Sequence, residues 1–150
     1  MSLKQQIETD IKTAMLARQK AELQALRAIK SMILLAETEK GNDGSVSADV
    51  ELKLLMKAVK QRKDSAQIYK DQGREDLLAV ELAEIAVIEK YLPKQMSEEE
   101  IRIELEKIVV QVGAAGPQDM GKVMGLASKA LAGKADGKTI SGIVKSILVG

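Results

Sequence analysis

The sequence predicts an all-α protein of two lobes: an N-terminal helical domain of about four helices over 1–93 and a small C-terminal three-helix domain over 94–150. Three observations carry that expectation. Apolar residues recur every three or four positions along most of the chain, which puts them on one face of a helix. Ser2 with Gln5, and Ser97 with Glu100, have the spacing of capping boxes ahead of apolar runs. Pro93 cannot continue a helix and separates the two periodic regions. The only β-branched stretch, Ile108 to Val112, keeps the helical spacing set from Ile101, so no strand is expected.

Taken in order, Leu3, Ile7, Ile11 and Met15 define a first helix beginning at Ser2. Leu23, Leu26, Ile29 and Ile33 form a second helix or an extension of the first, until Gly41-Asn42-Asp43-Gly44-Ser45 supplies loop residues. Ser47 then caps a helix with Leu52, Leu55, Val59 and Ala66 inward, Lys57, Lys60, Arg62 and Lys63 outward, and Gly73 at its end. Leu78, Leu82, Ile85, Ile88 and Leu92 form the next helix, closed by Pro93. Ile101, Leu105, Ile108 and Val112 follow the second capping box, with Gly113 suited to the C-terminal end. Pro117 fits the first turn of a helix carrying Met120, Val123, Met124, Ala127 and Leu131, and Thr139 is the expected cap of a last helix through Ile140, Ile143, Val144 and Ile147.

Composition removes most familiar chemistry. The 150 residues include no Cys and no His, so thiol nucleophiles, disulfides, zinc fingers, histidine bases and Ser-His-Asp triads are excluded. No Ser, Thr or Lys motif replaces them, and no catalytic residue, metal site or cofactor is expected. Ser97 reads as a cap, and Ser141 sits near a helix start. The only aromatic residues are Tyr69 and Tyr91, too few for the stacking platforms of single-strand binders. No run approaches the ~18 apolar residues of a membrane span. Lys4, Glu8 and Asp10 stand where an export signal would be apolar, so the expected location is cytoplasmic.

A net charge of +1 conceals segregation. Basic residues number 7 against 2 acidic ones over 53–74, 3 against 10 over 75–106, and 6 against 2 over 107–150. Either the blocks pair across packed helices or the basic ones meet a phosphate-bearing partner.

Gly116 to Lys122 matches G-x-x-x-x-G-K, yet Val123 stands where a P-loop needs Ser or Thr for magnesium. Pro117 removes a backbone donor and Asp119 places negative charge where phosphates would sit, so nucleotide hydrolysis is not expected. Gly121 and Gly125 share a helix face open to a neighbouring helix or to a sugar-phosphate edge. Lys122 and Lys129 lie two turns apart beside it, and Lys134, Lys138 and Lys145 follow, a candidate phosphate-binding set. Glu81, Glu84, Glu98, Glu99 and Glu100 read as a solvated acidic face.

Five strings, Lys60-Gln61-Arg62-Lys63-Asp64-Ser65, Gly73-Arg74-Glu75-Asp76-Leu77, Tyr91-Leu92-Pro93-Lys94-Gln95, Asp119-Met120-Gly121-Lys122-Val123-Met124 and Ala135-Asp136-Gly137, closely resemble the YqeY family in order and spacing. That family is similar to the C-terminal tail of the B subunit of glutamine-dependent aminoacyl-tRNA amidotransferases, which are carbon-nitrogen ligases with glutamine as amide donor. The resemblance implies two helical domains and a tail-like role in holding tRNA. It supplies no catalytic residue. It also implies Gly121, Lys122, Lys134, Asp136 and Gly137 as tRNA-facing positions; Lys134 stands where the family often has Arg, which loses bidentate phosphate geometry.

The expected function is therefore an RNA-interaction module, for tRNA or another structured RNA, working with an amidotransferase or an aminoacyl-tRNA synthetase and not catalytic alone. Its candidate contacts are Gly121, Lys122, Lys129, Lys134, Asp136, Gly137 and Lys138, with Lys60, Arg62, Lys63 and Arg74 as a second basic set. The alternatives are a helical protein-binding or oligomeric scaffold and a non-catalytic subunit of an amidotransferase.

Overall fold

The structure, a computed structural model, describes residues 2–39 and 44–149. Among the described residues every regular element is helical. The chain divides into two compact units, Met1–Leu92 and Pro93–Gly150.

The first unit holds α1 (Leu3–Leu16), α2 (Lys20–Glu37), α3 (Ala48–Asp71) and α4 (Glu75–Glu89). Ser2 and Gln5 form the expected capping box, and the Ser47 hydroxyl accepts from the Val50 amide to start α3. The break between α1 and α2 has neither Gly nor Pro. Arg18 takes a φ of 56°, its amide donates to the Met15 carbonyl at 3.2 Å, and the Gln19 amide reaches the Ala14 carbonyl at 3.0 Å. This is a Schellman ending with arginine in the left-handed position usually given to glycine, which is why the sequence left one helix or two open. Residues 41–43 of the expected loop lie outside the described residues. Gly73 ends α3 conventionally, with a φ of 67°.

Ile7, Leu26, Ile29, Ile33, Leu55, Val59 and Ile88 form the core of this unit. Leu82 departs from the expectation that it packs inward: it is 53% exposed. The buried face of α4 is set by Glu84, Ile85, Val87 and Ile88, and the helical rotation to position 82 carries Leu82 away from that face. The Tyr91 hydroxyl donates to the Asp10 carboxylate, tying the residues after α4 to α1. Burial, followed by that hydrogen bond and the carboxylate's charge, pushes the phenol above its ordinary range.

The second unit contains α5 (Glu98–Val112), a 3-10 turn (Pro117–Asp119), α6 (Met120–Ala130) and α7 (Gly137–Val149). Ser97 and Glu100 form the second capping box, and Gly113 closes α5 with a φ of 66°. Ile108 to Val112 is thus helix, and the phosphate-loop topology of strand, loop and helix is absent from the described residues. Leu105, Val123, Ala127 and Val144 are fully buried at the centre of this unit. The cap of α7 is not Thr139. Asp136 Oδ1 accepts from the Thr139 amide at 2.6 Å, so the helix starts earlier, at Gly137, and the carboxylate faces its N-terminal amides.

Candidate nucleic-acid interface

In the second unit the turn from α6 to α7 is held from two sides. Gly133 takes a φ of 75°, which bends the chain after Leu131. Gln95 Nε2 donates to the Gly133 carbonyl at 2.7 Å and to the Pro93 carbonyl at 2.9 Å. The Met96 amide adds a bond to the Lys134 carbonyl at 3.0 Å. On the far side Asp136 caps α7, and Gly137 and Lys138 are its first residues. The side chains of Lys134 and Lys138 are exposed on this pinned turn. Gln95 belonged to a recognised string, yet its partner is 38 positions away, so spacing gave no sign of its role.

Upstream, Asp119 Oδ2 accepts from the Ala115 amide at 2.9 Å and fixes the turn that launches α6. On α6, Val123 and Ala127 face the core, while Gly121, Lys122, Gly125 and Lys129 are exposed. Apart from each glycine's chain neighbours and the helix's own backbone, no atom lies within 4 Å of where a Cβ on Gly121 or Gly125 would stand, so no neighbouring helix of this unit explains these glycines.

Ion pairing separates three of the four residues of the first basic set from the lysines of the second unit. Arg62 does not point freely outward but is partly buried in the first unit: Nε meets Glu84 Oε2 at 2.9 Å and Nη1 donates to the Ala58 carbonyl at 3.1 Å. Lys63 approaches Glu89 at 3.9 Å. Arg74 grips Asp76 through two hydrogen bonds of 3.2 Å, which, with the Leu77 amide, hold that carboxyl below its ordinary range. Lys60 is exposed. Lys122, Lys129, Lys134 and Lys138, like Lys60, make no ion pair among the described residues.

The carboxylates of α4 correct the expectation of a solvated acidic face. Glu84 is buried against Arg62, and Glu81 is half-buried. Desolvation and the neighbouring Glu84 charge raise the Glu81 pKa, against the opposing pull of Arg62. Glu98, Glu99 and Glu100 are exposed in the first turn of α5, where they favour the positive end of the helix dipole. Among the described residues no group of three or more acidic side chains is placed to hold a metal ion, and no helix is long and apolar enough to cross a membrane.

A lysine ammonium binds phosphate as a point charge, and an unpaired exposed lysine does so without first giving up a carboxylate. The second unit has no aromatic residue and, after Arg102, no arginine. What this surface can offer a nucleic acid is charge and shape, with neither base stacking nor bidentate reading of guanine.

The family described as Yqey-like protein matches residues 4–148. The chain is also 36% identical over 111 residues to a protein of Clavispora lusitaniae named altered inheritance of mitochondria protein 41, mitochondrial; the match covers 72% of this chain and 63% of that one. The protein of the same name from Meyerozyma guilliermondii is 35% identical over 124 residues, covering 80% of this chain and 64% of that one. The Pyrenophora tritici-repentis protein is 29% identical over 147 residues, covering 95% and 78%. The chain therefore spans less than two thirds of the first two relatives' length. Their names overturn the cytoplasmic location expected from the sequence. A mitochondrial address is amphipathic and arginine-rich instead of apolar, so the lack of an apolar export segment does not bear on it. The five strings and the match across almost the full chain agree: this protein is a member of the YqeY family.

Proposed function

We propose that this chain is an RNA-binding accessory module, with tRNA as the favoured ligand, and that Lys122, Lys129, Lys134 and Lys138 of the second unit carry the binding. The observation behind this reading is the contrast in ion pairing. In the other basic set Arg62, Lys63 and Arg74 each meet a carboxylate and only Lys60 does not, whereas all four lysines of the second unit are exposed and unpaired among the described residues. The pinned α6–α7 turn fixes two of them on a defined frame, which lowers the ordering cost of meeting a rigid phosphate backbone. In this reading the helices of the first unit and those of the second are separate working parts. The similarity to the amidotransferase B-subunit tail makes an amidotransferase or an aminoacyl-tRNA synthetase the favoured protein partner, with the chemistry performed by that partner. This chain would then be a non-catalytic subunit of such an assembly.

The test is a gel-shift titration of the full chain against total tRNA at several salt concentrations, with an unrelated acidic polymer as competitor. With about three phosphates neutralised, log K should fall against log salt with a slope of about −2 to −3. Lys122→Glu with Lys134→Glu should remove most of the affinity and leave helical content unchanged. Unaltered binding in that double variant would reject this surface and move attention to Lys60 and the rest of α3. No tRNA binding at low salt would favour the helical scaffold.

A further inference from the structure

The outer faces of α5 and α6 complement each other, and they cannot meet within one molecule. On α5, Ile101, Leu105 and Ile108 face the core. Glu99, Ile103, Glu106 and Val110 follow at intervals of four, three and four, a single stripe on the opposite side. Ile103 is 53% and Val110 81% exposed, and Glu99 and Glu106 make no ion pair among the described residues. The stripe thus alternates acid and apolar side chains with nothing against it in this unit.

On α6, Gly121, Gly125 and Ser128 form an outward stripe of small residues at intervals of four and three, and Lys122 and Lys129 run beside it. Gly125, in the interior of α6, costs the helix about 1 kcal/mol relative to alanine, and the open space beside both glycines shows no internal packing that requires them. Such a groove admits the knobs of another helix at short range. The spacings also agree. Glu99 and Glu106 are seven residues apart, as are Lys122 and Lys129 and as are Ile103 and Val110. Seven residues is about 10.5 Å, so both charged pairs and both apolar knobs repeat at the same interval.

We propose that the outer stripe of α5 docks against the outer stripe of α6 in a second copy of this chain. Ile103 and Val110 fill the groove of Gly121, Gly125 and Ser128, while Glu99 and Glu106 meet Lys122 and Lys129. Made twice about a two-fold axis, the contact closes a dimer in which each copy gives one stripe and receives the other. Because Lys122 and Lys129 are used, a second copy and an RNA compete for α6.

Sedimentation velocity of the full chain without RNA tests the dimer independently of the RNA-binding reading. The wild type should form a dimer that weakens as salt rises. Glu99→Lys with Glu106→Lys, and separately Lys122→Glu with Lys129→Glu, should each weaken association at least tenfold with unchanged circular dichroism, and an equimolar mixture of the two should regain it. Gly125→Leu fills the groove in a position where the monomer has room, so it should keep the fold and lose the dimer. The proposal is overturned by a wild type that stays monomeric at low salt, by wild-type association in either charge variant or in Gly125→Leu, or by a mixture that does not reassociate.

Discussion

Arg62 on α3 and Glu84 on α4 form a bridge of 2.9 Å whose side chains are 15% and 7% exposed. It joins the basic block to the acidic block. Here part of the charge segregation seen in the sequence is resolved by packing one helix on the other: Arg62 and Lys63 of α3 meet Glu84 and Glu89 of α4.

Removing one member of that pair strands the other. Glu84→Ala should therefore destabilise the chain by about 3 kcal/mol, while Arg62→Met with Glu84→Leu should cost much less, because no buried charge is then left uncompensated. Urea denaturation of both variants checks this; equal losses would show that the bridge contributes little beyond the packing of its side chains.

Backbone angle sets the sign of three substitutions that composition alone would treat alike. Arg18→Gly relieves an arginine held at a φ of 56° and should stabilise by about 1 kcal/mol. Gly113→Ala forces alanine into a φ of 66° and should destabilise by a similar amount. Gly125→Ala, in a helical conformation with free space around it, should stabilise by about 0.5–1 kcal/mol. Thermal melts give all three signs, and a loss of stability in Gly125→Ala would mean that the monomer uses the open space.

The Tyr91 phenol is raised above its ordinary range in the folded state. Its contribution is fully present below the unfolded phenol's pKa of about 10 and is lost as pH rises past it, because the unfolded chain then releases the proton first. Stability measured by denaturant titration should fall above about pH 10 in the wild type, and the fall should be shallower in Tyr91→Phe. Identical slopes would detach alkaline unfolding from this residue.

Gln95→Ala deletes the donor that pins the Gly133 carbonyl. The expected loss is about 1 kcal/mol, accompanied by faster amide exchange in the turn around Lys134. RNA affinity should fall even though no charge is changed. A variant with normal exchange but weakened RNA binding would instead make Gln95 a direct contact.

Capping boxes were the most legible part of this fold, because Ser2 with Gln5 and Ser97 with Glu100 act within three residues of each other. The helical period likewise revealed most core positions. Leu82 and Glu84 depart from expectation for a common reason: periodicity marks an apolar stripe but not which side of it the neighbouring helix covers, nor that a carboxylate on that side will find an arginine 22 residues earlier. Thr139 was displaced as a cap by Asp136, a competitor for the same role three residues before it. The lysines of the second unit were visible as charge. Their lack of ion pairs was not, since pairing depends on what stands opposite in space.

The positive face of the second unit is built wholly from lysine after Arg102. Guanidinium charge is permanent, whereas an ammonium can be acylated, and acetylation removes its charge altogether. The whole electrostatic character of this face is therefore chemically erasable, residue by residue, with no effect on the buried Arg62–Glu84 bridge. Lys→Gln at positions 122, 129, 134 and 138 imitates that neutral state. It should abolish a gel shift in graded steps while the melting temperature stays level; a fold that weakens in parallel would show that these charges also serve the structure.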